Sequence, residues 1–214
     1  MADITLFEVE ANQLLQEYPA FQIQKVGDIS VLGGLLELKD KEGNIVDVYQ
    51  IEIHPGNYPN RFPRVFETGG RIPRNIDWHI YESTGHCCLK VPQEEILICN
   101  NGISLSEFLK SQVIPYFFNQ TFRYSNGYFL NERSHDVKGI LEFYFEILKT
   151  KNPNNVLITL RYIINNTEPN RVAICFCDSG EKYRKCHRNS FRLLTKLGLD
   201  QLIHDFILIG NYIG

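Results

Sequence analysis

The sequence predicts an α+β fold: an N-terminal helix, a four-stranded antiparallel meander and C-terminal helices, followed by a small helical appendage around a cysteine knuckle. Three observations carry this. Apolar residues recur at helical spacing at both ends, β-branched runs alternate with turn signals between them, and three cysteines and a histidine crowd into Cys175 to His187. In order, Leu6, Val9, Leu14 and Leu15 lie near one face of a helix over Thr5 to Tyr18, which Pro19 terminates. Phe21 to Lys25, Ile29 to Lys39 and Asn44 to His54 read as strands, divided by the turns at Gly27-Asp28 and Glu42-Gly43-Asn44. Arg64 to Glu67 is a short fourth strand. From Thr68 to Gly102 the pattern dissolves into Gly, Pro, Asn and Cys, and so long a loop inside a domain is usually functional. Ser104 and Glu107 form a capping box that opens a helix at Leu105, and Val137, Ile140, Leu141, Tyr144 and Leu148 mark another. The Lys/Asn/Pro segment Lys149 to Asn155 places the domain boundary, giving domains 1–150 and 151–214. Beyond it we expect a helix over Val156 to Asn165, the knuckle from Ala173 to His187, and helices from Phe191 to Ile209.

Composition excludes several classes. With 214 residues, 43% of them hydrophobic and 22% charged, the chain has enough apolar surface for a core and is not disordered. No apolar run approaches the roughly 20 residues that span a bilayer, and Met1 to Glu10 lacks the basic and apolar regions of an export signal. A cytoplasmic location is expected, with no membrane partner and with the six cysteines reduced, as ligands, nucleophiles or core residues. Residues 1–150 carry 13 Lys and Arg against 20 Asp and Glu, whereas residues 151–214 carry 9 against 5, so the two parts suit different partners.

The first chemical constellation follows the third strand. Tyr58-Pro59-Asn60-Arg61-Phe62-Pro63 restricts the chain, and Trp78-His79-Ile80-Tyr81-Glu82-Ser83-Thr84-Gly85-His86-Cys87-Cys88-Leu89 places two thiols after a turn glycine. Adjacent residues of an extended segment point opposite ways, so only one of Cys87 and Cys88 faces a substrate groove. His79 and His86 are candidate proton handlers or orienters, and Cys99, among apolar residues, is structural. In this order the elements resemble the ubiquitin-conjugating enzymes, over roughly residues 1–150. That family reads Tyr-Pro, a further proline pair, a strand, a histidine, a turn glycine and Ile-Cys-Leu. The resemblance implies that Cys88 forms the thioester and that Cys87 holds the small apolar position. It departs from the family where Ile80 and Tyr81 follow His79 in place of proline-asparagine, one residue closer to the cysteine. The oxyanion donor then falls to Asn75, Asn100, Asn101 or loop amides.

Gly70-Arg71-Ile72-Pro73, Trp78-His79, Asn131-Glu132-Arg133-Ser134-His135, Gly139-Ile140 and Phe143-Tyr144 are similar to a bacterial branch of that family. Its members act beside nucleotidyltransferases of antiphage signalling or in ubiquitin-like conjugation operons. The resemblance implies that the acyl donor is the C-terminus of a ubiquitin-like modifier or of a nucleotidyltransferase, charged by an activating enzyme or captured directly, and that the acceptor is an amine. The alternatives are an inactive binding module on the same fold and a zinc adapter.

The second constellation, Cys175, Cys177, Cys186 and His187, has the spacing C-x-C-x8-C-H, which suits tetrahedral Zn2+. It resembles the SEC-C motif, with Phe176 and Asp178 replacing proline and glycine while Ser179-Gly180 is kept. Four ligands with no open position make such a zinc structural. Arg171, Lys182, Arg184, Lys185, Arg188, Arg192 and Lys196 surround the knuckle and suit an acidic protein surface. Nucleic acid is disfavoured by the acidic chain as a whole.

Overall fold

The computed structural model describes residues 3–130 and 132–214; Met1 and Ala2 of the N-terminal segment and Asn131 of the Asn131 to His135 motif lie outside the described residues. The chain is α+β and forms two compact units: 1–90 with 98–132, and 91–97 with 133–214. Among the described residues, no helix is long and apolar enough to cross a membrane.

In the first unit, α1 (Ile4–Glu17) opens on Asp3, whose carboxylate accepts from the Leu6 amide. The strands β1 (Phe21–Val26), β2 (Ile29–Lys39), β3 (Ile45–His54) and β4 (Arg64–Glu67) follow as an antiparallel meander in sequence order. Leu32 opposes Ile53 and Leu36 opposes Tyr49. One face of the sheet therefore buries Leu32, Leu36, Leu38, Ile51 and Ile53, with Phe7, Ala11 and Leu14 of α1 in the same core. The Ser104 hydroxyl accepts from the Glu107 amide to open α3 (Leu105–Phe108), which continues through a π turn, Leu109–Val113, into α4 (Ile114–Asn126). The wider turn has a local cause. Pro115 lacks an N–H and crowds the preceding carbonyls, and the Ile114 amide reaches back to Leu109. Leu105, Phe108, Leu109, Val113 and Phe117 complete the core.

The stretch expected to be irregular contains a helix, α2 (Pro92–Asn100). Proline at its start and Glu94 and Glu95 in its first turn are helix-opening signals within the segment.

The second unit corrects the boundary at residue 150. Its helices are α5 (Asp136–Leu148), α6 (Pro153–Asn165), α7 (Arg188–Leu194) and α8 (Leu199–Ile213). The apolar face of α5 shares one core with the later helices: Ile140, Leu141, Tyr144 and Leu148 pack in a cluster with Val156, Leu160, Ile163, Phe191, Leu202 and Ile209. Helix α5 therefore belongs with the C-terminal part. Inside this core Asp205 is fully buried; its carboxylate accepts from the Tyr144 hydroxyl (2.7 Å), Gln93 Nε2 (2.7 Å) and Gln201 Nε2 (2.8 Å).

Candidate functional site

The thiol segment of the first unit is held by backbone hydrogen bonds. Ile80 and Cys87 form an antiparallel bridge; the Cys88 amide donates to His79 O (2.7 Å), the Tyr81 amide to His86 O (3.0 Å) and the Cys87 amide to Val65 O on β4 (2.7 Å). Gly85 turns the chain at φ 80°, a conformation a Cβ would resist, and its amide donates to Tyr81 O (2.7 Å). The Arg74 guanidinium secures the turn through Glu82 O (2.9 Å) and Ser83 O (3.0 Å).

The bridge register separates the two thiols. Ile80 and Cys87 face the core and are buried, and burial pushes the Cys87 thiol up to about 12. Cys88, on the other face, is half-buried. Its thiol donates to the Tyr81 hydroxyl oxygen at 3.4 Å, and the Tyr81 ring stacks on His86 with centroids 4.5 Å apart and planes at 29°. His86 Nδ1 hydrogen-bonds the Thr84 hydroxyl (2.6 Å); burial, with Arg64 nearby, lowers the His86 pKa and keeps the ring neutral at pH 7.

His79 meets Cys88 through its backbone. The residue is left-handed (φ 54°) at the end of the 3-10 turn Ile76–Trp78, and its carbonyl accepts from both the Cys88 amide and the Tyr116 hydroxyl (3.0 Å). Its ring lies edge-on to Phe129 at 4.8 Å, with Nε2 3.6 Å from a Glu132 carboxylate oxygen. Of the expected residues, then, Cys88 and His86 are joined through Tyr81, whereas His79 contributes a carbonyl to the loop. Tyr81 was not among the sequence candidates. The signal for it lay in counting outward from the turn, which pairs residue 81 with residue 86. Of the asparagines considered as oxyanion donors, Asn75 caps the 3-10 turn by accepting from the Trp78 amide (3.1 Å), and Asn100 and Asn101 are exposed at the end of α2. Cys99 is buried in the core.

In the second unit Cys175, Cys177, Cys186 and His187 form a cluster that could hold a metal ion, with their ligand atoms all within 4.8 Å of one another. His187 Nδ1 lies 3.0 Å from Cys186 Sγ and 3.4 Å from Cys175 Sγ, and the Cys177 and Cys186 sulfurs are 3.5 Å apart. A two-stranded bridge, Ile174 with Lys182, closes the knuckle. Asp178 (φ 57°) and Gly180 (φ 75°) turn it, and Phe176 stacks on Tyr162 of α6 at 4.1 Å. Burial raises the Cys186 thiol to about 12. At Cys177 burial is outweighed by hydrogen bonds from Ser179, and the thiol is lowered. Of the basic residues around the knuckle, Arg188 and Arg192 pair with Glu168 (3.4 and 2.7 Å), while Arg171, Lys182, Arg184 and Lys185 are exposed.

Compared with family models, with curated proteins and with solved structures, the chain matches none.

Proposed function

We propose that the first unit is an acyl carrier of the ubiquitin-conjugating type, with Cys88 as its nucleophile. One observation carries the proposal: of two adjacent thiols, one is sealed in the core and the other is half-buried on a hydrogen-bonded loop beside the Tyr81 hydroxyl, whose ring stacks on His86. Thioester exchange needs a reachable sulfur on a fixed backbone. In the first step the Cys88 thiolate attacks the carbonyl carbon of a thioester-activated C-terminus. The C–Sγ bond forms, the donor's C–S bond breaks, and the released donor thiolate takes up the proton that Cys88 gave up. In the second step an amine attacks the same carbon, the C–Sγ bond breaks, an amide forms, and the amine's proton passes by way of His86 to the sulfur. The donor is the C-terminus of a ubiquitin-like modifier or of a nucleotidyltransferase, supplied by an activating enzyme.

A structural Zn2+ at the knuckle belongs to the same proposal. With Zn–S bonds of about 2.3 Å, tetrahedral sulfur ligands lie about 3.7 Å apart, and the Cys177 and Cys186 sulfurs are 3.5 Å apart. Zinc would supply folding free energy through Cys175, Cys177, Cys186 and His187, and the exposed Arg171, Lys182, Arg184 and Lys185 support docking to an acidic protein surface.

The test incubates the purified chain with an activating enzyme, ATP and modifier. A conjugate that thiols reduce and that is lost in Cys88→Ala is expected; its absence from the wild type would end the proposal.

A further inference from the structure

We propose that Tyr81 is a catalytic residue of the Cys88 site, donating its phenol O–H to the thioester carbonyl oxygen and to the oxyanion that develops there. This rests on the acyl-carrier reading of Cys88 and supplies the donor that reading lacks. As the carbonyl carbon becomes tetrahedral, negative charge moves onto its oxygen, and a donor already in place stabilises that charge without reorganisation.

Position selects Tyr81. In the short antiparallel pair around the Ile80–Cys87 bridge, residue 81 opposes 86 and residue 79 opposes 88. Tyr81 and Cys88 are therefore diagonal neighbours on one face, a separation that an aromatic side chain spans. The hydroxyl oxygen sits 3.4 Å from Sγ. The Tyr116 hydroxyl, by contrast, donates to His79 O.

The group is also fixed in place. The ring stacks on His86, its own amide and carbonyl are both bonded across the turn, and Arg74 ties down Glu82 and Ser83. In the free protein the thiol donates to the phenol oxygen. Acylation replaces the thiol proton with an acyl carbon, whose carbonyl oxygen lies two bonds from Sγ. Rotation of the O–H about its C–O bond then turns the donor toward that oxygen without moving the ring.

The experiment uses the full chain and a glycylglycine thioester of mercaptoethanesulfonate. Acyl transfer to Cys88, and its later aminolysis by free lysine, are followed by intact-protein mass spectrometry in the wild type and in Tyr81→Phe, which keeps the stacked ring. Iodoacetamide alkylation of the fully ionised thiol is the control, since displacement at a saturated carbon builds no oxyanion. Aminolysis in Tyr81→Phe should fall about 100-fold, in the range for losing one oxyanion donor, with the alkylation rate within about twofold of wild type. Unchanged aminolysis, or an equal fall in both reactions, would overturn the role of Tyr81 while leaving Cys88 as the carrier. A wild type that never becomes acylated at Cys88 would overturn the acyl-carrier reading and, with it, the assignment of Tyr81.

Discussion

Iodoacetamide labelling of the two adjacent thiols tests the division between core and site directly. Cys87 is 4% exposed, and burial holds its thiol up at about 12. At pH 8 its thiolate fraction is then about 10⁻⁴, against about a quarter for an ordinary thiol of pKa about 8.5, a deficit of roughly 2,000-fold. A more basic thiolate is intrinsically more nucleophilic. With a Brønsted slope of about 0.45, this recovers roughly 40-fold and leaves Cys87 about 50-fold slower than free cysteine before steric exclusion is counted. Both thiols fall on one tryptic peptide between Arg74 and Lys90, so Cys87→Ala and Cys88→Ala are needed to assign the label. Cys87→Ala should label at the wild-type rate. Cys88→Ala should label at least 50-fold more slowly than free cysteine at pH 8, with a rate rising about tenfold per pH unit until the fold itself gives way. A Cys88→Ala protein that labels like free cysteine, or whose rate levels off near pH 9, would refute the argument.

Stripping the protein with a chelator and restoring Zn2+ should return one ion per chain and raise the melting temperature. Cys177→Ser and His187→Ala should lose both effects, as elemental analysis and thermal denaturation would show, because metal binding of this kind contributes roughly 10 kcal/mol or more to folding of the site. Asp205→Ala should destabilise the second unit by about 3–5 kcal/mol, since the Tyr144 hydroxyl and the Gln93 and Gln201 amides lose a buried acceptor; urea unfolding measures it, and a loss under 1 kcal/mol would contradict the network. If neutral His86 takes the amine proton, aminolysis falls as pH drops through its pKa. Burial and Arg64 lower that pKa, so the inflection belongs below about 6.5 and should vanish in His86→Asn; a wild-type inflection above 7 would count against this.

What the sequence made legible was local. Strand β2 spans Ile29–Lys39 as its β-branched run suggests, and the knuckle's ligands meet because they lie within one turn and its flanks. Where distant residues decide, the sequence is silent. Lys149 to Asn155 looks like a linker, yet Ile140, Leu141 and Tyr144 of α5 are buried by residues 156–209, which periodicity alone cannot pair. Helix α2 was lost in a stretch dominated by Gly and Pro, although its own Pro92, Glu94 and Glu95 announce it. Tyr81 is harder to find, because its contact with Cys88 exists only in one register of a bridge between residues seven apart.

That register also bears on one departure from the ubiquitin-conjugating pattern that the chain resembles, the absent asparagine. In a two-stranded pair, side chains alternate faces, so a slip of the pairing by one residue, setting 81 opposite 87, would exchange the faces of one strand relative to the other. Tyr81 would then turn toward the core beside Cys87, or the bridge would have to break. The observed pairing of 80 with 87 is therefore what sets Tyr81 on the same face as the sulfur. A tyrosine is also long enough to reach it, because a diagonal neighbour lies farther away than a directly opposed one. Register and side-chain length thus act together: on the acyl-carrier proposal, the donor comes from the strand opposite the nucleophile.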